Sequence, residues 1–310
     1  MPGPRPAVTD GRFDLGQPEL SRLPVLAGQP AFRALQVWAG LHQGLEPEEM
    51  TDVPLALRGA LAAALPPGLR LAQESVSDRG TTVKWLWALA DSTQVETVLM
   101  RYPNRATVCV SSQAGCAMAC SFCATGQAGF ARHLSAGEIV EQVVRARRRA
   151  LPDRLSNVVF MGMGEPLANY DATWAAIRRI HEELGISARH LTVSTVGVVP
   201  GIRRLAAEDL PVNLAVSLHA ANDSLRDELV PLNRRYPLEV LLDACRAYTA
   251  VRSRRLSFEW ALIDGVNDRP RDAAELAEVA LPLAAHVNLI PLNPTPGYAV
   301  RGTSPAKARA

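Results

Sequence analysis

Apolar residues near the start of the chain follow a helical spacing. Between positions 30 and 65 they recur every three or four residues, as Phe32, Leu35, Trp38 and Leu41 do. Such spacing places apolar side chains on one face of a helix. The pattern therefore predicts a small helical unit.

The spacing then changes to the alternation of β-strands. Val83, Trp85 and Trp87 alternate with other residues, and Val95 and Thr97 do so again after a short polar break. Two alternating runs joined by a turn are typical of a β-hairpin. We expect a hairpin extension after the helical unit.

From Arg105 onward, strand-like and helix-like stretches alternate. The predicted strands are Ala106–Ser111, Asn157–Met161, Leu191–Ser194, Val212–Leu218, Leu256–Leu262 and Val287–Pro291. The predicted helices are Ser135–Arg149, Tyr170–Leu184, Pro200–Ala207, Leu238–Val251 and Ala273–Leu281. Ser135 with Glu138 forms a capping box at the start of the first of these helices.

Alternating strands and helices predict an α/β fold with a parallel sheet. Six units are fewer than the eight of a closed barrel. We therefore expect an open six-stranded (β/α)6 partial TIM barrel with a small N-terminal helical unit and a β-hairpin extension. Its ligands are expected at the carboxyl ends of the strands. The predicted segments are a loose tail (1–20), a helical domain (21–68), the hairpin extension (69–104), the partial barrel (105–297) and a short tail (298–310).

Composition excludes several classes of protein. The 310 residues are 48% hydrophobic and 21% charged, which is ordinary globular composition rather than that of a disordered or collagen-like chain. No apolar run reaches the ~18 residues of a membrane span. No signal-peptide pattern opens the sequence. The net charge of +2 neither favours nor excludes a nucleic-acid partner.

Cysteine usage indicates a reducing compartment and a metal centre. Three of the five cysteines, Cys116, Cys120 and Cys123, form a C-x3-C-x2-C triplet. Structural zinc takes four ligands, no second cysteine pair exists, and His133 lies ten residues beyond the triplet. Three thiolates suit a [4Fe-4S] cluster with one open iron, which we favour over zinc or buried thiols. An intracellular, cytoplasmic location follows.

The triplet, with an aromatic residue before its last cysteine, resembles the radical SAM superfamily. The resemblance implies that the open iron binds S-adenosylmethionine (SAM) and that reduction of SAM yields methionine and a 5′-deoxyadenosyl radical. It also implies a partial barrel as the fold. Met161–Pro166 follows a predicted strand and resembles the glycine-rich element that meets the amino group of SAM in these enzymes. Three further segments place polar groups at predicted strand ends: Val193–Thr195, Ser217–His219 and Leu292–Pro294. Each of these could equally satisfy the backbone of a loop.

Taken together, longer segments resemble the RlmN/Cfr group of radical SAM RNA adenine methyltransferases, and the RlmN branch more than Cfr. The match runs from about Phe32 to about Gly297. The segments that carry it are Arg105–Cys116, Cys123–Gly126, Asn157–Tyr170, Val193–Gly197, Ser217–Ala220 and Val287–Pro294. The resemblance implies methylation of carbon 2 of an adenine in 23S rRNA and in tRNA.

The resemblance also assigns residues to roles. Cys116, Cys120 and Cys123 match the cluster ligands. Positions that match SAM contacts are Gly164, Glu165, Ser194, Ser217, Leu218, His219 and Asn293. Glu96 matches a proposed proton acceptor, and Cys109 matches a catalytic cysteine that helps to resolve a covalent enzyme–RNA link. As a strand residue, Glu96 could simply face solvent and Cys109 could fill an apolar space.

One feature departs from the family pattern. The family's methyl-accepting cysteine lies tens of residues beyond the Leu-Asn-Pro element, whereas this sequence has no cysteine after Cys245, which sits on a predicted helix as core filler. The alternative hypotheses are therefore a radical SAM enzyme without methyl transfer through cysteine, or a vestigial RNA-binding homologue.

The expected partners are RNA and a flavodoxin-like electron donor, with no membrane, and the protein is expected to be a monomer. Basic runs at Arg145–Arg149 and Arg252–Arg255 are candidates for contact with RNA phosphate, although solvated helix ends explain them equally well.

Overall fold

A computed structural model describes residues 11–251, 255–295 and 297–309 of the chain. Contacts within the chain divide it into two compact units. The first contains residues up to Ser111, together with Leu134–Val158 and Asp171–Ser187. The second contains Ser112–His133, Val159–Tyr170 and the residues from Ala188 onward.

The described helices alternate with strands over most of the chain. In order they are α1 (Gln17–Ser21), α2 (Phe32–His42), α3 (Leu55–Ala64), α4 (Ala124–Gln127), α5 (Ala136–Ala150), α6 (Tyr170–Glu182), α7 (Val199–Ala207), α8 (Asp223–Leu229), α9 (Leu238–Val251) and α10 (Pro270–Ala280). The strands are β1 (Arg70–Ser77), β2 (Thr82–Ala88), β3 (Gln94–Tyr102), β4 (Arg105–Cys109), β5 (Gln113–Gly115), β6 (Phe130–His133), β7 (Leu155–Phe160), β8 (Leu191–Thr195), β9 (Asn213–Ser217), β10 (Leu256–Leu262) and β11 (His286–Pro291).

Pairing differs between the two units. In the first, β1, β2, β3 and β4 pair antiparallel in chain order. In the second, β8, β9, β10 and β11 pair parallel in chain order, and β5 pairs antiparallel with β6. Because these four strands run parallel, their carboxyl ends lie at the same edge of the sheet.

Most predicted elements are present with small changes at their ends. Leu256–Leu262 and Leu238–Val251 have the predicted bounds. The predicted hairpin is formed by β2 and β3. The capping box is confirmed, because the Ser135 hydroxyl accepts from the Glu138 N–H at 3.0 Å and the Glu138 carboxylate accepts from the Ser135 N–H at 2.9 Å.

The burial of the first helix differs from its sequence pattern. Phe32 and Leu35 are 53% and 51% exposed, whereas Val37 and Leu41 are buried. A spacing of three residues drifts around a helix of 3.6 residues per turn, so the start of such a series leaves the buried face. The periodicity correctly predicted the helix, but it wrongly placed Phe32 and Leu35 on the buried face.

Several elements lacked a sequence signal. Every residue of β1 is exposed, so β1 shows no alternation of buried and exposed positions. The β5–β6 hairpin is too short for a pattern. No helix in the described part of the chain combines the length and apolar character of a membrane span.

The basic run on α5 is engaged within the first unit. Arg145 bridges Glu141 and Glu46, and Arg148 forms a two-pronged ion pair with Glu49 at 2.6 Å for each nitrogen. These pairs hold the N-terminal helical segment against α5. The guanidinium groups of Arg145 and Arg148 are thus paired with carboxylates of the same unit. Contact of this run with RNA phosphate stays a prediction. In the second basic run, Arg252 and Arg254 lie outside the described residues.

A buried amide joins α5 to the antiparallel strands. Gln142 has no solvent exposure, and its Oε1 accepts from the Thr97 hydroxyl and from the Ser111 N–H, both at 2.8 Å. Its Nε2 donates to the Ser111 carbonyl at 3.0 Å. The Ser111 hydroxyl in turn donates to the Glu96 carbonyl at 2.6 Å. This network fixes the ends of β3 and β4, which carry Glu96 and Cys109.

We expect Gln142→Ala to lower the free energy of unfolding by about 3 kcal/mol, because several buried polar groups lose their partner at once. Urea denaturation followed by tryptophan fluorescence measures the change. Arg149→Ala, on the exposed side of the same helix, is the control and should change stability by less than about 0.5 kcal/mol. Equal stabilities for the two variants would contradict this role for Gln142.

Candidate active site

A cavity of about 520 Å³ lies within the second unit, where the cysteine loop meets the carboxyl ends of the strands. Most of the predicted cofactor residues line it: Cys116, Cys120, Cys123, Gly164, Glu165, Ser194, Ser217, His219 and Asn293. Leu218 does not line it. The Leu218 side chain is fully buried, while its N–H donates to the Glu259 carbonyl at 3.0 Å. Residues far apart in sequence thus meet where a parallel sheet binds ligands.

The β5–β6 hairpin closes the base of the cysteine loop. The Cys116 N–H donates to the Gly129 carbonyl at 2.8 Å. Gly115 has a φ of +78°, and a Cβ there would lie 2.0 Å from the Gly129 oxygen. Only glycine fits such a close approach of two backbones. The loop that carries the three cysteines therefore starts from a fixed position.

The glycine-rich segment after β7 approaches the same hairpin. Gly164 has a φ of +100°, and a Cβ there would lie 2.5 Å from the Cβ of Gln113. The side-chain oxygen of Gln113 accepts from the Glu165 N–H at 2.8 Å. Gly164 thus allows the contact that directs Glu165 into the cavity.

Glu165 is a buried carboxylate held by backbone donors. Its Oε2 accepts from the Val196 N–H at 2.8 Å and its Oε1 accepts from the Leu167 N–H at 3.0 Å. Burial raises the pKa of Glu165 to about 7, and the two N–H donors oppose that rise. A carboxylate in this setting favours a cationic ligand such as an ammonium group.

Side chains on one face of the parallel strands form the cavity wall. Ser217 on β9 pairs in register with Glu259 on β10, which pairs with Asn288 on β11. Glu259 is 9% exposed, and its Oε2 accepts from the Asn288 amide at 2.7 Å. Sequence reasoning missed Glu259. The sequence does carry one sign of Glu259, because it is the single acidic residue within the otherwise mainly apolar strand LSFEWAL.

His219 lines the cavity as a neutral imidazole. Burial lowers its pKa to about 3, with Arg226 as a further cause. Its Nδ1 accepts from the Ala261 N–H at 3.0 Å, which leaves the proton on Nε2. Its ring packs edge-on against Phe122, with 4.7 Å between the ring centroids. The aromatic residue of the cysteine triplet therefore orients a hydrogen-bond donor of the cavity.

Arg226 was also missed by sequence reasoning. It projects from α8, is 1% exposed, and donates to the carbonyls of Leu218 at 3.0 Å and Val196 at 2.6 Å. A third bond reaches the Asn233 side chain at 2.8 Å. One guanidinium therefore fastens the segments that follow β8 and β9. In the sequence, Asp-Ser-Leu-Arg-Asp-Glu-Leu resembles an exposed polar helix, so nothing marks Arg226 as buried.

Known proteins resemble this chain over nearly its whole length. The profile of the Radical SAM superfamily matches residues 110–277. A probable dual-specificity RNA methyltransferase RlmN of Frankia alni is 56% identical over 313 residues, which cover 96% of this chain and 75% of that protein. The corresponding protein of Chloroflexus aurantiacus is 52% identical, over 92% of this chain and 80% of that protein.

The chain belongs to the RlmN family.

A solved relative supports the same assignment. The crystal structure of a radical SAM methyltransferase from Sphaerobacter thermophilus superposes with a TM-score of 0.90 at 49% identity, covering 96% of this chain and 90% of that one. This confirms the predicted fold class, an α/β partial barrel. It is also the expected fold of an RlmN-family enzyme.

The cofactors of the RlmN family are a [4Fe-4S] cluster and SAM, and the donor set fits them. Cys116, Cys120 and Cys123 line one cavity and influence one another's pKa. Among the described residues, no three cysteine, histidine or acidic side chains converge on a single metal ion. Three thiols spread around one cavity fit three iron atoms of a cluster better than they fit a single zinc ion.

Cys116 and Cys120 have raised pKa values in the cluster-free loop. Burial raises the pKa of Cys120 to about 12, and the neighbouring Cys123 and Cys116 raise it further. Burial also raises the pKa of Cys116. Because thiolates are the ligands, cluster binding must displace protons from this loop.

The two remaining predicted residues lie in the first unit. Glu96 on β3 is paired with Lys84, with 3.0 Å between Oε1 and Nζ. Cys109 on β4 is half-buried and pairs in register with Val98, two residues beyond Glu96. Residues two apart on a strand share a face, so Glu96 and Cys109 lie on the same face of this sheet. Their catalytic roles stay predictions, as do the roles of individual SAM-binding residues.

Replacing Cys116, Cys120 or Cys123 singly with alanine should abolish the brown chromophore of the anaerobically reconstituted protein, because each change leaves only two thiolates. Visible absorbance together with iron and sulfide content measures the loss. Cys245→Ala is the control, since Cys245 is a buried cysteine that lies on α9, outside the loop. A Cys120→Ala variant with full iron content would refute this ligand set.

Glu165→Gln should change how the stability of the cluster-free protein depends on pH. A raised pKa means that folding favours protonated Glu165, so the wild type loses stability as pH rises from about 4.5 to about 7. The variant escapes this loss, which is on the order of 3 kcal/mol. Its melting temperature relative to wild type should therefore rise between pH 5 and pH 8. A gap that stays constant over this range would contradict the burial effect.

Proposed function

We propose that this protein is an RNA methyltransferase that transfers a methyl group to carbon 2 of adenine. The observation that carries the proposal is one cavity that gathers three cysteines, Glu165 and the polar strand ends, in a chain of the RlmN family. Adenine carbon 2 is electrophilic and carries no acidic proton. A polar transfer of the methyl group from a sulfonium to that carbon is therefore not possible, and the reaction needs radical chemistry.

When bound, the cluster and SAM would supply radical chemistry through a 5′-deoxyadenosyl radical. The chain's own residues hold and orient these groups. Cys116, Cys120 and Cys123 hold the cluster, and Glu165 pairs with the ammonium group of SAM. His219 offers an N–H at Nε2, while apolar neighbours such as Phe122 keep water out of the cavity.

Glu96 and Cys109 serve the later steps on the RNA. Glu96 accepts the proton that leaves adenine carbon 2, and Lys84 at 3.0 Å holds its carboxylate in place. In the RlmN-type mechanism a methyl-accepting cysteine carries the methyl group and links the enzyme to RNA, and Cys109 would help to break that link, a nucleophilic task that requires thiolate character. The given sequence contains no cysteine after Cys245 for the role of acceptor. Their shared face on β3 and β4 supports a joint role.

The substrates are 23S rRNA and tRNA. The name of the Frankia alni relative, a probable dual-specificity RNA methyltransferase, supports two kinds of RNA for this chain as well. A flavodoxin-like protein supplies the electron. The enzyme acts as a monomer in the cytoplasm.

The deciding experiment incubates anaerobically purified protein with unmethylated 23S rRNA or tRNA, SAM and a reductant. Mass spectrometry of the digested RNA should detect 2-methyladenosine, and its formation should require SAM. Formation of 5′-deoxyadenosine without 2-methyladenosine would overturn the methyltransferase proposal in favour of a radical SAM enzyme that cannot complete the transfer. Absence of both products would leave an RNA-binding homologue.

Variants of the first unit should separate the early from the late steps. Glu96→Gln should lower 2-methyladenosine formation at least tenfold, since proton removal fails, while SAM cleavage continues. Cys109→Ala should lower it similarly, while SAM cleavage continues. Glu74→Gln, a change of the same kind on β1, should leave product formation unchanged. Full activity in both Glu96→Gln and Cys109→Ala would remove these residues from the mechanism.

A further inference from the structure

A second hollow lies on the outer side of the cysteine loop. It measures about 450 Å³ and opens broadly to solvent. One wall is the loop itself, through Ala117, Met118 and Ala119. The other wall is the turn after α8, through Pro231, Leu232, Arg234 and Arg235. Nothing in the proposed chemistry of the cavity uses this hollow.

Met118 connects the hollow to the cofactor cavity. It lines both spaces, and its N–H donates to the thiol of Cys116, which lines the cofactor cavity. Beside it, Ala117 and Ala119 are exposed and carry only a methyl group. The wall between solvent and the cluster ligands is therefore one residue thick at this place.

The two walls are joined rigidly. The Ser121 N–H donates to the Leu229 carbonyl at 3.1 Å, and Cys120 packs against Leu229 and Val230. On the side of the turn, Asn233 accepts from buried Arg226 at 2.8 Å. The hollow thus exists without rearrangement, which lowers the ordering cost of binding a partner.

The hollow has an apolar floor and a cationic rim. Alanine, methionine, proline and leucine form the floor. Arg234 and Arg235 are exposed at the rim, and neither forms an ion pair with a residue that the structure describes. Two carboxylates close to the turn, Asp223 and Asp227, are bound by the Asn233 amide at 2.8 Å and 2.7 Å.

We propose that this hollow is the docking site for an acidic one-electron carrier protein. The inference rests on the proposed function, because reductive cleavage of SAM needs an electron from outside. The donor loses one electron, the bound cluster gains it, and no bond forms or breaks in the transfer. The carrier's acidic groups meet Arg234 and Arg235, while its exposed cofactor edge faces Met118.

The chemistry of the surface favours a protein over RNA at this site. A small apolar centre inside a charged rim is the arrangement of transient protein interfaces. RNA recognition uses aromatic side chains for base stacking, and none lines this hollow. The wall of the hollow at Met118 is one residue thick, and this gives an electron a short path to the cluster. Of the two kinds of partner, only an electron carrier benefits from such a path.

The test uses holoenzyme with the charge-reversal variant Arg234→Glu/Arg235→Glu. The control is Arg189→Glu/Arg203→Glu, two exposed arginines of the same unit away from the hollow. The probe is a reduced flavodoxin, which is an acidic protein. Stopped-flow absorbance follows cluster reduction by flavodoxin at low and high salt, and again with dithionite. SAM and RNA affinities are measured for every variant.

Charge reversal at the hollow should slow reduction by flavodoxin at least tenfold at low salt and remove its salt dependence. Reduction by dithionite and SAM affinity should stay unchanged, and the control pair should behave as wild type. Arg234→Lys/Arg235→Lys should retain most of the rate, because it keeps the charge.

Two results would overturn the proposal. One is an unchanged rate with flavodoxin in the Arg234→Glu/Arg235→Glu variant. The other is a loss of RNA affinity with normal reduction by flavodoxin, which would assign the hollow to RNA. Failure of the proposed function would look different, since 2-methyladenosine would then be absent even with dithionite as reductant.

Discussion

The guanidinium of Arg226 is the contact on which the cavity depends. Parallel strands end with backbone carbonyls that their own sheet does not satisfy, and burying such groups without donors is costly. Arg226 supplies donors for the carbonyls of Val196 and Leu218, with a further bond to Ser217 at 3.3 Å. Burial lowers its pKa to about 10, so it stays cationic at neutral pH. The strand ends that carry Ser217 and His219 are therefore held by one side chain.

Two buried charges of opposite sign shape the site. Arg226 lies behind the strand ends, and Glu165 faces the cavity. Each is held mainly by backbone groups rather than by the other. Because burial raises the pKa of Glu165 to about 7, a cationic ligand would favour its ionised form.

Sequence patterns predicted the parallel strands and the cysteine loop of this site, because both follow from periodicity and local chemistry. Alternating apolar runs located the parallel strands, and the cysteine triplet marked the loop. Glu259 and Arg226 escaped because their roles depend on tertiary contacts: one faces a cavity from an apolar strand, the other turns inward from a polar helix. The ion pairs of Arg145 and Arg148 could not be predicted for a similar reason, since their acidic partners Glu46 and Glu49 lie about a hundred positions away in sequence.

The two ends of the cysteine loop are held together by the short β5–β6 hairpin next to it. All three candidate ligands lie within eight residues, and the adjoining β5–β6 hairpin joins the two ends of the segment through the Gly115–Gly129 approach. Short loops lose little entropy when their ends are brought together. The metal-binding part is thus nearly a contiguous module, and an excised peptide spanning this hairpin keeps every thiol needed to assemble a cluster. The rest of the barrel contributes the pocket for the organic cosubstrate.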